Sequence, residues 1–273
     1  TQPPGGAGIY NPGPSYPEVK FQTNVAGKYT FELEVKDAES WSCVPATREI
    51  LVVPNEAIHI ELTWDTPQDS DPTNEGLDAG ADMDLHFVHL NNALLNPNGF
   101  DEYPPGDGDG VNEGFFDDLW DTFWFYPDHD WGIFSNWEDN PSLDRDDTDG
   151  AGPENLNLNV PEPGVTYKIG VHYWDDHEYG ASTPTVHIYF FGSLILTQTG
   201  CPMIPHDMWT VGTFDWPSQE MDLWTCTGPV PTGPGTAWPD RPCGGTINDV
   251  SDTQICDQVI MRNFTPQQYL INP

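Results

Sequence analysis

The most regular feature of this chain is a period of two. Tyr29, Phe31, Leu33 and Val35 alternate with Thr30, Glu32, Glu34 and Lys36 behind the turn residue Gly27. Successive side chains on a strand point to opposite faces, so the run predicts a half-buried strand. Ile50-Leu51-Val52-Val53 stops at Pro54 and predicts a second strand, paired with the first as a hairpin. A lone hairpin is marginal in water, so this first unit reads as incomplete. Ile58, Ile60, Leu62 and Trp64 alternate again. In the next strand Met83, Leu85 and Phe87 share one face, and Asp82, Asp84 and His86 share the other. Beyond residue 165 the signal returns in Tyr167, Ile169, Val171 and Tyr173, and in Val186, Ile188 and Phe190. Leu194-Ile195-Leu196 follows the Gly192-Ser193 turn, and Val211, Phe214 and Trp216 close the regular part. The expected fold is all-β. Residues 1–20, rich in Pro and Gly, read as an extended lead-in to a partial unit at 1–54. Residues 55–217 form a larger, jelly-roll-like β-sandwich. Residues 218–273 form a turn-rich extension ending in the strand-like Gln267-Gln268-Tyr269-Leu270-Ile271.

Composition sharpens this picture. With 28 Pro and 26 Gly among 273 residues, long helices are disfavoured. The 44 acidic residues face only 8 basic ones, for a formal charge of −36. Such self-repulsion opposes compaction unless bound cations or a saline medium neutralise it. Nucleic acid is excluded as a partner, because phosphate contacts need Lys and Arg. No stretch is apolar and long enough to insert into a membrane. The 11 Trp, 10 Tyr and 13 Phe argue against disorder. Five cysteines lack any CxxC spacing and point to disulfides in a secreted protein, with one left over. Thr1 in place of an initiator Met reads as a mature or trimmed product.

The acidity is concentrated. Residues 101–155 hold seventeen acidic residues and one basic residue, Arg145, interleaved with aromatics. The stretch is long for an unsupported loop, and a metal-ordered insertion accounts for both features. Asp144, Asp146, Asp147 and Asp149 precede Gly150, with Glu154 and Asn155 close behind. Closely spaced carboxylates around a glycine turn deliver the hard oxygens that Ca²⁺ takes in sets of six to eight. The spacing is not that of an EF-hand, and a solvated acidic turn is the alternative. Asp107 and Asp109, between glycines at 106, 108 and 110, form a second candidate. Asp82 and Asp84 form a third, with His86 on the same strand face. His172, Asp175, Asp176 and His177 are within reach of joining them, and histidine would tilt that site toward a transition metal. The alternative there is aspartates capping turns and pairing with histidines.

No HExxH, GxSxG, P-loop or suitably placed GxGxxG occurs, and with so many carboxylates no single pair marks a glycosidase. The chain therefore reads as a non-enzyme. Trp131, Trp137 and Trp174 are candidates for stacking on sugar rings, although a Trp is more often a core residue.

The segment Val25-Ala26-Gly27-Lys28-Tyr29-Thr30-Phe31-Glu32-Leu33-Glu34-Val35-Lys36-Asp37 resembles the closing half of a PKD-like domain. Residues 56–217 are similar to a module that follows PKD-like domains in secreted proteins of myxobacteria and their relatives. The similarity rests on Glu56 to Trp64, Asp82 to Phe87, Asp146 to Asn155 and Gly170 to Trp174. The resemblance implies an extracellular β-sandwich and no named activity. It also implies that the N-terminal Ig-like sandwich lacks half its strands, and that Cys43 pairs with a cysteine of that missing half. Either the mature chain was trimmed here, or strand addition from another copy completes the sheet and, being head-to-tail, would propagate a filament. The expectation is an extracellular, calcium-stabilised structural or adhesive protein, a self-associating homopolymer subunit. The alternative is a calcium-dependent module that binds polysaccharide.

Overall fold

The structure, a computed structural model, describes residues 1–3, 6, 8–42, 44–73, 76, 79–93, 114–223 and 260–261. The chain divides into two compact units, Thr1–Asn55 and Glu56–Pro273. In the first, β1 (Ile9–Asn11) pairs with β2 (Lys20–Gln22), and β3 (Gly27–Leu33) pairs with β4 (Ala46–Val52), both antiparallel. The β3–β4 pair is the hairpin that the alternation predicts. The lead-in differs from expectation: it folds back as β1–β2. Aromatic packing explains this, since Phe21 lies edge-on to Tyr10, Tyr29 and Phe31 at centroid distances of 4.8, 5.6 and 4.9 Å. Tyr29 is buried, and its hydroxyl donates to the Val25 carbonyl at 2.9 Å.

The second unit is a sandwich of two antiparallel sheets. Its strands are β5 (Ile58–Asp65), β6 (Asp82–His89), β7 (Asp121–Thr122), β8 (Pro141–Arg145), β9 (Glu154–Leu158), β10 (Val165–Asp175), β11 (Thr183–Phe190), β12 (Ser193–Thr199), β13 (Met208–Trp216), β14 (Met221–Leu223) and β15 (Ile260–Met261). One sheet runs β14-β13-β10-β6-β7, with β15 also on β13. The other runs β12-β11-β5-β9-β8. The inward residues form one core: Ile58, Ile60, Leu62 and Trp64 from β5, Met83, Leu85 and Phe87 from β6, and Tyr167, Ile169, Val171 and Tyr173 from β10, with their counterparts on β9, β11 and β13. The odd step from Val211 to Phe214 is absorbed by a register shift, in which Gly212 faces Ile169 while Thr210 faces Gly170. A side chain at Gly212 would come within 2.3 Å of the Asp222 carbonyl oxygen.

The outer face of the first sheet is also covered. Phe115, Phe116 and Phe123 pack with Val88 and Met208 into a second apolar cluster. The described part of the acidic insertion is thus ordered largely by aromatic packing and by carboxylates that cap backbone N–H groups. Asp117 accepts from Leu119 and Trp120, Asp130 from Ser135, and Asp139 from Ile133. Its tight spacing of acids and turns serves local capping. No described helix is long and apolar enough to cross a membrane. Cys201 is buried, and the other four cysteines lie outside the described residues.

Candidate metal centre

Burial on both faces does not close the sandwich at one seam. On β6, backbone N–H groups of alternate residues point to the same edge. β7 covers that edge only opposite Phe87 and Val88, and the His89 N–H reaches the Trp120 carbonyl at 2.8 Å. Two residues before Phe87, the Leu85 N–H points to an edge that holds no strand among the described residues. Glu154, from β9 of the opposite sheet, closes it: its Oε2 accepts from Leu85 N–H at 2.5 Å. Glu154 is completely buried, on the inner face of β9 in line with Leu156 and Leu158. Its other oxygen, Oε1, has no hydrogen-bond donor.

Two more carboxylates converge here. Asp84 lies on the outer face of β6, and Asp146 follows β8. Each of the three acids offers an oxygen, and these oxygens lie within 4.8 Å of one another. Asp84 and Glu154 are buried and Asp146 is exposed. Burial first, then the neighbouring carboxylates, push Asp84 and Glu154 well above the usual carboxylate range. Asp82, one strand position further out, is pushed up to about 8 by burial and by the charges of Asp146, Asp175, Asp147 and Asp149. Carboxylates this close and this dry need a proton or a cation between them. The donor set fits a hard cation: it consists of oxygens alone, from strand and loop, with Asp146 and Glu154 in hydrogen-bond contact and with one buried oxygen, Glu154 Oε1, that no N–H group among the described residues reaches.

The loop carrying Asp146 is pinned. The Gly150 N–H donates to the Ala79 carbonyl at 2.9 Å, the Trp64 indole to the Gly150 carbonyl at 3.0 Å, and the Trp64 N–H to the Ala151 carbonyl at 3.2 Å. Gly80 lies against Gly150 so closely that a Cβ there would sit 2.5 Å from the Gly150 nitrogen. Gly80 also has φ +133°, a region that side-chain-bearing residues rarely adopt.

Of the ten residues expected to hold calcium, three meet: Asp84, Asp146 and Glu154. Asp82 lies beside them. Asp147 is buried and accepts from Arg145 Nη2 at 3.0 Å, and Asp149 accepts from the Gly76 N–H at 2.5 Å. Asp144 and Asn155 go elsewhere. Asp144 is exposed and is held by the Ser142 hydroxyl at 2.8 Å and by the Asn157 amide. Asn155 alternates with Glu154 on β9, so it lies on the opposite face, across from Glu61 and Arg145. Asp107 and Asp109 lie outside the described residues.

The histidines divide: His172 stays against the oxygen set and His86 turns away from it. His172 pairs across the ladder with Asp84, its Nδ1 3.3 Å from Asp84 Oδ2. Burial, reinforced by His86 and His206, holds its pKa well below the ordinary value, so His172 is neutral. Its Nδ1 braces the Asp84 carboxyl group. His86 instead meets the fully buried Asp121 at 2.6 Å, and Asp121 also accepts from the Phe116 N–H at 2.6 Å. Asp121 and Phe116 were not singled out by sequence, because nothing in the spacing links them to a strand some thirty residues earlier. Of the three candidate sugar platforms, Trp131 is in the core and Trp174 packs on the second cluster. Trp137 is 71% exposed.

No family model, no curated protein and no solved structure matches this chain.

Proposed function

We propose that this chain is an extracellular, calcium-stabilised structural or adhesive protein whose copies associate through an open sheet edge. The convergence of Asp84, Asp146 and Glu154, with the buried Glu154 Oε1 undonated, carries the reading. A calcium ion there would be held by these three residues and would supply the charge that lets Glu154 close β6 as a carboxylate. It would tie the edge of one sheet to the edge of the other and fix the Gly150 loop. Ion binding then adds to folding free energy. Sites of this kind fill at the calcium levels outside cells, in keeping with a chain of charge −36. The self-association rests on β4. Among the described residues it pairs only with β3, and it exposes Ile50 and Leu51.

The test is thermal unfolding in calcium, in EDTA, and in EDTA with high sodium chloride, with each sample viewed by electron microscopy. The expected result is a Tm lower by roughly 5–10 °C in EDTA that salt does not restore, with polymers on the calcium grids. An unchanged Tm in EDTA would leave the acidity as an adaptation to saline surroundings and sink the calcium reading.

The second reading, a calcium-dependent carbohydrate-binding module, is favoured by one observation. Trp137 stands exposed beside a turn braced by Asp139 and Asp130, which present Ile133 and Phe134 at 70% and 86% exposure. Saturable binding to a polysaccharide that is lost in Trp137→Ala would support it, and no binding to a panel of neutral polysaccharides would remove it.

A further inference from the structure

We propose that the strand which receives β4 is β12 of a second copy, so that copies pair head to tail through two different edges. This rests on the reading of the chain as self-associating through the open edge of β4, and it names the surface on the other side. Residues 179–206 hold no Asp, Glu, Lys or Arg. They are the longest uncharged run in a chain of charge −36, and all of β12 lies within them. Among the described residues β12 pairs only with β11, so it ends its sheet. Sheets commonly guard such an edge with charge. The strand at the other end of the same sheet, β8, carries Asp144 and Arg145. β12 carries no charge and exposes Leu194 and Ile195 instead. The turn that leads into it extends the patch. Phe191 has φ +49°, which a bulky side chain rarely adopts, and Gly192 follows at φ +75°. Two-residue hairpin turns favour Asn or Asp in that first place. The Phe191 ring meets Trp216 at a centroid distance of 5.7 Å yet stays 65% exposed.

Charge favours a second copy as the occupant. Two molecules of charge −36 repel each other, so they meet at least cost where acid is sparse. Residues 1–55, the unit that carries β4, hold only six of the 44 acidic residues and four of the 8 basic ones. β4 itself has one charge of each sign, Arg48 and Glu49, and so brings no net charge to an uncharged edge. The lengths also match, at seven residues each. β4 keeps an unbroken register with β3. β12 has a bulge at Ile195, after which residues 196–199 run in regular register opposite 188–185. That regular stretch is the part able to exchange main-chain hydrogen bonds with an added strand. Because the two edges differ, the contact is heterologous: each pairing leaves a β4 free at one end and a β12 free at the other, and growth continues.

The experiment mixes two variants of the full chain in calcium and reads mass by sedimentation velocity. Leu51→Lys blocks the edge of β4, and Thr197→Lys blocks the edge of β12 with the same charge. Both positions are exposed, and circular dichroism checks that each variant keeps the wild-type strand content. Ile195→Lys, at a second exposed position, repeats the block should Thr197→Lys fail to fold. The proposal expects polymers from the wild type and monomers from either variant alone. An equal mixture of the two should give particles of twice the monomer mass and no larger, since each variant supplies the edge that the other lacks. A mixture that stays monomeric overturns the pairing, as do β12 variants that polymerise like the wild type. Dimers of Leu51→Lys alone overturn it as well, because β12 would then pair with itself about a two-fold axis. A wild type that stays monomeric at high concentration sinks the self-association reading itself, so the two failures are distinct.

Discussion

Glu154 sits where the inward positions that follow it on β9, Leu156 and Leu158, are core hydrophobics. An amide in its place can still accept from the Leu85 N–H but carries no charge. Glu154→Gln is therefore expected to act in opposite directions in the two states. Without calcium it stabilises the protein by about 1–2 kcal/mol, because an amide needs no proton taken up on burial. With calcium it weakens ion binding by roughly two orders of magnitude. Urea unfolding with and without EDTA reads both, and a loss of stability in EDTA would contradict the burial argument. Titration follows the same logic. The folded ion-free protein holds Asp84, Glu154 and Asp82 above their ordinary values, Asp82 at about 8. A raised folded pKa contributes stability that is complete below the unfolded value and is lost as pH rises through the folded one. In EDTA the Tm should thus fall from about pH 4 to beyond pH 8. On the proposed reading calcium takes the place of these protons, so in calcium the fall should vanish and ion binding should release protons measurable by calorimetry in buffers of different ionisation enthalpy.

At the scale of elements, the loop and the aromatic cover have separate supports. Gly80→Ala places a methyl group against the Gly150 nitrogen and demands an unfavourable φ. The expected cost is about 2–4 kcal/mol, together with weaker calcium binding, because the Asp146 loop loses its seat. Asp121→Ala leaves His86 and the Phe116 N–H without their shared carboxylate. It should cost about 2–3 kcal/mol and leave the number of bound ions unchanged. Equilibrium unfolding paired with calcium titration distinguishes the two variants. A change of ion count in Asp121→Ala would mean that cover and metal centre are one unit.

For the molecule as a whole, β4 is the element on which the proposed assembly turns. Leu51 is 69% exposed, so Leu51→Lys should leave the monomer's Tm nearly unchanged. Charge on an exposed edge disfavours strand addition, so any calcium-grown polymers should be lost, as read by light scattering at high concentration. Polymers that persist in this variant would place the contact elsewhere.

The strands and their inward faces were legible along the chain, because burial of one face imposes a period of two wherever the backbone runs straight. Ile58 to Trp64, Met83 to Phe87 and Tyr167 to Tyr173 all point as their alternation predicts. That carboxylates are concentrated near residues 82–84 and 146–154 was legible too. Tertiary structure alone decided which of them meet. Asp144 and Asp146 look equivalent in sequence, yet one ends on a strand facing solvent and the other in the loop beyond it. Asn155 is excluded by pointing the opposite way from Glu154. The junction forms because β6 has an edge that β7 only half covers, and Glu154 of the facing sheet is the residue at that height. Which strand lies opposite which edge is a long-range property of the sheet order, and local periodicity holds no record of it.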